Sequence, residues 1–394
     1  AFIEVDVRVP VLDLIRVHDV HHNAQHNPPV GTQSRSPSGA GLLGSGIMNF
    51  DFSDDQKLLK EQVRKFLADK CPTKVVRRVL DGNETHADDV WKGLVDLGVP
   101  ALGIPEEYGG MGLSPLEVCV AAEEIGRAAA PVPFDSSVVL GTEALKLAGS
   151  DAQKKKWLPE LASGKAIGTL AIAEGAQPPK PRNTRTTFGG GRLNGNKLPV
   201  TDGEAATFAI VLANTGGSGD RAVSLVLVDL TQKAVARKRI ETIDPARKHA
   251  ELTFSDASAE LLGGEGEGWR LLERLYDAAA VYFAFAQVGG AEAAMWMARD
   301  YALQRNAFGR AIGSYQAIKH KLADCYVKLE LARSNAYYGA MMLTENGADL
   351  PLAAAAARIA ATDAYDFAAK ENIQTHGGIG FTWEADTQFH YRRS

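Results

Sequence analysis

The stretch FAIVLANTGGSGDRAVSLVLVD, residues 208–229, decides the fold class, because it holds two short apolar runs on either side of a glycine-rich turn. Further turn formers, FGGGRLNGN at residues 188–196, precede it. Residues 166–265 are therefore predicted to form a middle antiparallel β domain. Helical periods lie on both sides of this domain. The order helices, strands, helices argues against a doubly wound nucleotide-binding fold, in which strands and helices alternate.

Helical patterns occupy both flanks of the β domain. Residues 48–165 are predicted to form an N-terminal α-helical domain, whose first helix begins at Ser53 and ends before Pro72. Residues 266–394 are predicted to form a C-terminal four-helix bundle, which includes the alanine-rich segment PLAAAAARIAATDAYDFAAKENIQTH. The predicted fold class is α+β and multidomain.

The composition excludes several classes of protein. Of the 394 residues, 45% are hydrophobic and 23% are charged, which is typical of globular domains. A net charge of −5 does not indicate a nucleic-acid partner, and no apolar run is long enough to predict a membrane span. The three cysteines are far apart, so neither a disulfide framework nor a metal site is expected. A reducing compartment, the bacterial cytoplasm, is the predicted location.

Residues 1–47 differ in composition and are predicted to be a flexible extension. Gly39–Gly44 matches G-x-G-x-x-G, but no strand precedes it, so a linker is favoured over a dinucleotide site. The extension also contains four histidines, two of which could form a metal pair at helical spacing. Solvated side chains are favoured, because no acidic or cysteine partners surround these histidines, which are His18, His21, His22 and His26.

Two C-terminal segments contain residues that could bind a ligand. In YALQRNAFGRAIGSYQAIKH, residues 301–320, Arg305 is predicted at a helix C-terminus, where its guanidinium could bind phosphate or hydrogen-bond the last carbonyls of its own helix. Gln316 lies near the start of the next helix and offers a donor and an acceptor. In QTHGGIGFT, residues 374–382, the glycines permit close approach of a ligand, or form only a helix cap and turn.

Together, in this order and with this separation, the two segments resemble the acyl-CoA dehydrogenase family. Further similarity lies in GIPEEYGGMGLSPLEVCVAAEEIGR, LNGNKLPVTDG and LLGGEGEGW, and the resemblance covers about residues 48–394. It implies FAD bound between the bundle, the β domain and a neighbouring subunit. It also implies α,β-desaturation of an acyl-CoA, in which a base removes the α-proton, and transfer of the electrons to an electron-transfer flavoprotein. The implied assembly is a homodimer, a homotetramer or a heterotetramer with a related subunit.

The resemblance also implies which residues bind FAD. Thr201 matches a threonine that hydrogen-bonds near flavin N5, while Ile172 and Ala173 match a strand over the flavin ring. The dinucleotide end of the cofactor would contact a second group, contributed across a subunit interface, namely Arg305, Phe308, Tyr315, Gln316, Gln374, Thr375, His376, Gly377 and Gly378.

The sequence departs from the family where the catalytic base is expected. The usual glutamate would lie about nine positions beyond Ser394, outside the sequence given. A rarer position for the base holds Ala279, and the neighbouring arginine position holds Ala280. Asp277 is nearby but is a weak candidate, since a base must reach the proton it removes. The catalytic residue is therefore not assigned. In the β domain, Pro199 occupies a position that is usually tryptophan.

Three functions remain open at this stage. The favoured one is an FAD-dependent acyl-CoA dehydrogenase, or a subunit of one, in fatty-acid or sterol side-chain degradation. The second is a non-catalytic partner subunit that shares FAD, and the third is an acyl-CoA oxidase-like flavoenzyme. Substrate length would depend on helices around residues 130–140 and 275–290. There, Tyr282, Phe283 and Phe285 either fill the acyl pocket or belong to the core.

Overall fold

The computed structural model describes residues 52–394. The predicted extension of residues 1–47, with its glycine motif at Gly39–Gly44 and its four histidines, lies outside the described residues. None of the helices within the described range is long and apolar enough to cross a membrane.

The N-terminal region is helical, as predicted. Ser53 caps the first helix, because its hydroxyl accepts a hydrogen bond from the Gln56 amide while the Gln56 side chain accepts one from the Ser53 amide. The helices are α1 (Asp54–Lys70), α2 (Thr73–Asp81), α3 (Asp88–Asp96), α4 (Pro115–Arg127), a π-helix (Phe134–Thr142), α5 (Glu143–Ala148) and α6 (Asp151–Ala162).

The middle region is a seven-stranded sheet. Its strands are β1 (Gly168–Ala171), β2 (Thr187–Gly189), β3 (Arg192–Thr201), β4 (Phe208–Asn214), β5 (Val223–Asp229), β6 (Val235–Ile240) and β7 (His249–Leu262). The order is β1-β4-β2-β3-β7-β5, β5 pairs back with β4, and β6 pairs with β7. The two runs that decide the fold are β4 and β5, paired antiparallel with Phe208 opposite Asp229. Most other pairings are also antiparallel, while β1 and β2 run parallel to β4.

The C-terminal region is helical again. It contains α7 (Gly268–Gln304), a hairpin of β8 (Asn306–Ala307) and β9 (Arg310–Ala311), α8 (Gln316–Thr344), α9 (Leu350–His376) and α10 (Thr387–Arg393). The predicted fold class is confirmed. Most of the side chains that α9 buries are small, and those at helical spacing include Ala353, Ala357, Ala361, Ala364 and Ala368.

The backbones of α4 and α7 touch. A Cβ added at Gly126 would lie 1.9 Å from the Ala286 carbonyl oxygen, and one at Gly289 would lie 1.8 Å from the Glu123 carbonyl oxygen. Neither position tolerates a side chain without a shift of the backbone. This contact fixes the N-terminal helices against the bundle, and the cavity described below lies beside it.

Candidate functional site

The end of α7 presents Arg305 to solvent. Its backbone amide donates to the Tyr301 carbonyl and closes the helix. Its guanidinium makes no hydrogen bond or ion pair with any residue between 52 and 394. The alternative in which Arg305 hydrogen-bonds the last carbonyls of its own helix is therefore wrong for this structure, and the cation is available to another group.

The hairpin after Arg305 exposes an aromatic ring. Phe308 has φ +53° and Gly309 has φ +83°, which turns the chain between β8 and β9 and leaves the Phe308 side chain 96% exposed. The Tyr315 hydroxyl donates to the Ala307 carbonyl at 3.1 Å, and the Arg310 guanidinium lies 4.0 Å from the centre of the Tyr315 ring. The hairpin is thus held in place, and the Phe308 ring lies uncovered at its tip. Gln316, exposed, is the first residue of α8.

The end of α9 combines unpaired polar atoms with open space. Within residues 52–394, Thr375 Oγ1 and Asn372 Oδ1 are buried without a hydrogen-bond partner. Gly377 ends the helix with φ +64°, which requires glycine. At Gly378, by contrast, an added Cβ would meet nothing within 4 Å, so the fold of this chain does not itself explain that glycine. The Gln374 side chain is exposed beside them.

These two segments meet in the structure. The rings of Tyr301 on α7 and His376 on α9 stack with centroids 4.1 Å apart and planes inclined by 25°. His376 Nδ1 donates to the Asn372 carbonyl at 2.8 Å, which fixes the ring. The fold therefore brings together the ends of the two helices that carry Arg305 and Gln374.

A second cluster lies in the β domain around Thr201. His249 Nδ1 donates to the Arg247 carbonyl at 2.9 Å, and His249 Nε2 lies 3.2 Å from Thr201 Oγ1. Burial lowers the pKa of His249, so the ring is neutral and Nε2 is an acceptor. The Thr201 hydroxyl therefore donates its hydrogen to His249, while its backbone carbonyl accepts from Thr169 Oγ1 at 2.6 Å.

Ile172 and Ala173 directly follow β1, and both are half-buried. The carbonyl of Ile172 accepts from Lys197 Nζ at 3.2 Å, and the fully buried Lys197 forms an ion pair with Glu174 at 2.7 Å. The Ala173 carbonyl accepts from the Leu198 amide. Among the described residues, no hydrogen bond, ion pair or ring contact joins this β-domain cluster to Arg305 or Gln374. One chain thus offers two separate clusters.

The two α7 positions predicted for the rarer base and its neighbouring arginine hold alanine. Ala279 is buried and Ala280 is half-buried on α7, and neither methyl group can transfer a proton. Asp277, two residues earlier, is half-buried, and burial together with nearby Glu273 raises the pKa of its carboxyl group. Asp277 makes no hydrogen bond or ion pair with residues 52–394.

The structure also shows a charged cavity that the sequence patterns did not reveal. It has a volume of about 130 Å³ and is lined by side chains of α4, the segment 130–135, α7, α9 and α10, together with Arg247 from the loop before β7. Phe283 lines this cavity, whereas Tyr282 and Phe285 are buried in the core. The charged members are Asp135, Arg247, Arg358 and Arg393. They lie far apart in the sequence, so no local spacing could have grouped them.

Comparison with known proteins agrees with this architecture. Residues 53–165 match the family described as "Acyl-CoA dehydrogenase, N-terminal domain", and residues 266–394 match "Acyl-CoA dehydrogenase, C-terminal domain". The acyl-CoA dehydrogenase IpdE2 of Mycobacterium tuberculosis is 31% identical over 342 residues, which cover 86% of this chain and 91% of that protein. The mitochondrial isovaleryl-CoA dehydrogenase of Oryza sativa subsp. japonica is 31% identical, with 91% and 90% coverage.

A solved structure gives the same result. Butyryl-CoA dehydrogenase from Megasphaera elsdenii superimposes with a TM-score of 0.81 at 26% sequence identity, over 88% of this chain and 94% of that one. The chain described here belongs to the acyl-CoA dehydrogenase family.

Proposed function

We propose that this chain is a subunit of an FAD-dependent acyl-CoA dehydrogenase, which desaturates the Cα–Cβ bond of a CoA thioester and passes the electrons to an electron-transfer flavoprotein. The observation that carries the proposal is the meeting of the α7 and α9 ends through the stacked rings of Tyr301 and His376. A bacterial cytoplasmic location and a role in fatty-acid or sterol side-chain degradation are part of the proposal. An assembly of two or four subunits, identical or related, would complete the cofactor site.

The residues at the ends of α7 and α9 fit the dinucleotide part of FAD. Arg305 has a guanidinium without a partner in residues 52–394, and a guanidinium binds the oxygens of a diphosphate well. Thr375 has a buried hydroxyl without a partner, and Gly378 leaves room for a close approach. Gln316 at the start of α8 adds an exposed amide, and Phe308 adds an uncovered ring. Tyr315, Gln374, His376 and Gly377 complete the proposed set.

When bound, FAD would supply the hydride acceptor that this chemistry needs. The residues proposed beside the flavin ring are Thr201, Ile172 and Ala173. Thr201 can offer only the lone pairs of its oxygen, since its hydrogen is donated to His249. The β domain therefore supports the flavin end of the cofactor less strongly than Arg305 and its neighbours support the dinucleotide end.

A second function is favoured by specific observations. Ala279 and Ala280 cannot act as a base or bind a substrate anion, and the hydroxyl hydrogen of Thr201 is already donated to His249. These features support a non-catalytic subunit, which would contribute Arg305 and Gln374 to the FAD of a related partner chain.

Anaerobic reduction tests both functions. Purified full-length protein with its bound FAD, alone and then with a co-purified related subunit, would be mixed with acyl-CoAs of increasing length while the flavin absorbance is recorded. Bleaching by the protein alone supports the dehydrogenase. Bleaching only in the presence of the related subunit supports the non-catalytic partner.

The electron acceptor is tested on the same samples. Reoxidation by added electron-transfer flavoprotein without peroxide formation supports the proposed acceptor. Rapid oxygen uptake with peroxide formation would instead indicate an acyl-CoA oxidase-like enzyme. Absence of bleaching in every mixture would overturn the proposed function.

A further inference from the structure

The contact between Thr201 and His249 is set by the register of the sheet. Thr201 is the last residue of β3 and lies directly opposite His249, the first residue of β7, in an antiparallel pair. Residues in this relation place their side chains on the same face of the sheet. The 3.2 Å contact between Thr201 Oγ1 and His249 Nε2 follows from this arrangement. Within residues 52–394, the Thr201 hydroxyl has no other hydrogen-bond partner.

The histidine decides where the Thr201 hydrogen points. A carbonyl oxygen can only accept, so His249 Nδ1 carries the hydrogen of its bond to the Arg247 carbonyl. Burial lowers the pKa of His249, despite this hydrogen bond and the nearby charge of Asp244. The ring is therefore neutral at neutral pH, and Nε2 holds a lone pair. Thr201 donates its hydrogen to that lone pair and keeps only its own lone pairs for any other neighbour.

The position of Thr201 does not depend on the histidine. The Thr201 carbonyl accepts from Thr169 Oγ1 at 2.6 Å, and the amide of the next residue, Asp202, donates to the Lys248 carbonyl at 2.9 Å. The Asp202 carboxylate also accepts from Ser136 Oγ at 2.6 Å. Loss of the His249 side chain should thus leave the Thr201 oxygen in place and change only the direction of its hydrogen.

A ligand atom placed against the Thr201 oxygen must therefore bring its own hydrogen. The two redox states of a flavin differ in this respect, since N5 of the oxidised ring is an acceptor and N5 of the reduced ring carries a hydrogen. Hydrogen bonds to ring nitrogens are one means by which a protein tunes a bound flavin. An oxidised ring would face the lone pairs of Thr201 with a lone pair, whereas a reduced ring would donate to them.

We propose that His249 is a positioning residue that, through Thr201, makes the β domain favour the reduced over the oxidised flavin. The inference rests on the proposed function, in which Thr201 lies beside flavin N5. It assigns to His249 an effect on the reduction potential and no contact with the flavin or the acyl group.

The first experiment measures that potential without any acyl-CoA. Full-length holoprotein, with any co-purifying related subunit, would be reduced anaerobically by a chemical reductant beside a reference dye. His249→Leu removes the acceptor and frees the Thr201 hydrogen for oxidised N5. The ratio of oxidised to reduced flavin at a fixed potential is expected to rise about tenfold. For a two-electron couple this is a fall of about 30 mV in the midpoint potential.

The matched control removes the hydroxyl through which His249 acts. In a Thr201→Val background, His249→Leu should leave the potential unchanged. A merely structural role of His249 would shift the potential equally in both backgrounds. That result, or an unchanged potential in His249→Leu alone, would overturn the proposal.

Thr201→Val alone provides a test that does not require a folded His249 variant. If Thr201 accepts a hydrogen bond from the reduced ring, as proposed, loss of its oxygen lowers the potential. If Thr201 instead donates to the oxidised ring, the same substitution raises the potential. A rise would overturn the proposal.

The chemical reductant separates failure of this inference from failure of the proposed function. If the potentials shift as expected while no acyl-CoA bleaches the flavin in any mixture, the proposed activity fails and the role of His249 stands. If an acyl-CoA bleaches the flavin while His249→Leu leaves the potential unchanged, the activity stands and the role of His249 is wrong. A protein that retains no FAD, alone or with the related subunit, would overturn both.

Discussion

Replacing Glu123 with glutamine should destabilise the packing of the helical domains. Glu123 on α4 is fully buried and lies at the centre of an ion network. It pairs with Lys60 on α1 and with Arg333 on α8, both at 2.6 Å. One carboxylate therefore joins three helices, and Arg333 also pairs with Glu292 on α7.

The magnitude follows from what the substitution leaves behind. Burial acts to raise the pKa of Glu123, but the two cations lower it overall, so the carboxylate is ionised near neutral pH. Glutamine preserves the shape and removes the charge, while the side chains of Lys60 and Arg333 remain only 18% and 17% exposed. Breaking a buried pair in this way costs about 3 to 5 kcal/mol. Because Arg333 keeps Glu292, the lower value, about 3 kcal/mol, is expected.

Urea unfolding followed by circular dichroism would measure the loss. The matched control is Glu330→Gln, which removes a carboxylate from the same Arg333, but one that is 43% exposed and 3.5 Å away. Exposed pairs contribute about 0 to 1 kcal/mol, so the control should unfold near the natural midpoint. Equal shifts for the two variants would refute the argument that burial, and not the presence of an ion pair, sets the cost.

Arg305→Gln should lower FAD retention on gel filtration about tenfold or more, since it removes a guanidinium without a partner, while Arg299→Gln on the same helix should retain FAD. Burial lowers the pKa of His390 from 6.5 to about 4. The unfolded chain binds this proton first, so thermal stability should fall as the pH drops through that range, and His390→Gln should flatten the slope. Gly289→Ala should lower the melting temperature in thermal scanning, because its Cβ would lie 1.8 Å from the Glu123 carbonyl oxygen.

Each of these three predictions has an outcome that would contradict it. Equal FAD content in the Arg305 and Arg299 variants would count against the proposed dinucleotide site. An unchanged pH slope in His390→Gln would show that other groups cause the loss of stability in acid. A natural melting temperature for Gly289→Ala would contradict the contact between α4 and α7.

The parts of the fold that depend on residues close together in the sequence were predictable. Ser53 and Gln56 are three residues apart, and their reciprocal hydrogen bonds start α1 where the cap pattern indicates. The apolar runs at 208–214 and 223–229 became paired strands because the turn between them is short and glycine-rich. The alanine-rich segment became a long helix for reasons of intrinsic propensity.

The site was predictable only where a motif carries it. Arg305 and Gln374 belong to recognisable segments, so their meeting could be expected before the fold was known. The bond between Thr201 and His249 spans 48 positions, and no local pattern points to it. Arg358 was hidden by its position in an alanine-rich helix, where a single arginine is typical of a solvated face. Its place in the wall of the charged cavity depends on tertiary packing, which single-sequence patterns do not encode.

The two proposed cofactor clusters differ in which polar groups they leave without a hydrogen-bond partner. At the ends of α7 and α9, the Arg305 guanidinium and the Thr375 hydroxyl have no partner in residues 52–394. In the β domain, the Thr201 hydrogen is already donated to His249. A buried polar group without a partner, such as the Thr375 hydroxyl, is costly, so a chain retains it where something else supplies the partner. This contrast favours a chain that gives more to the FAD it shares with a neighbouring subunit than to a flavin on its own β domain.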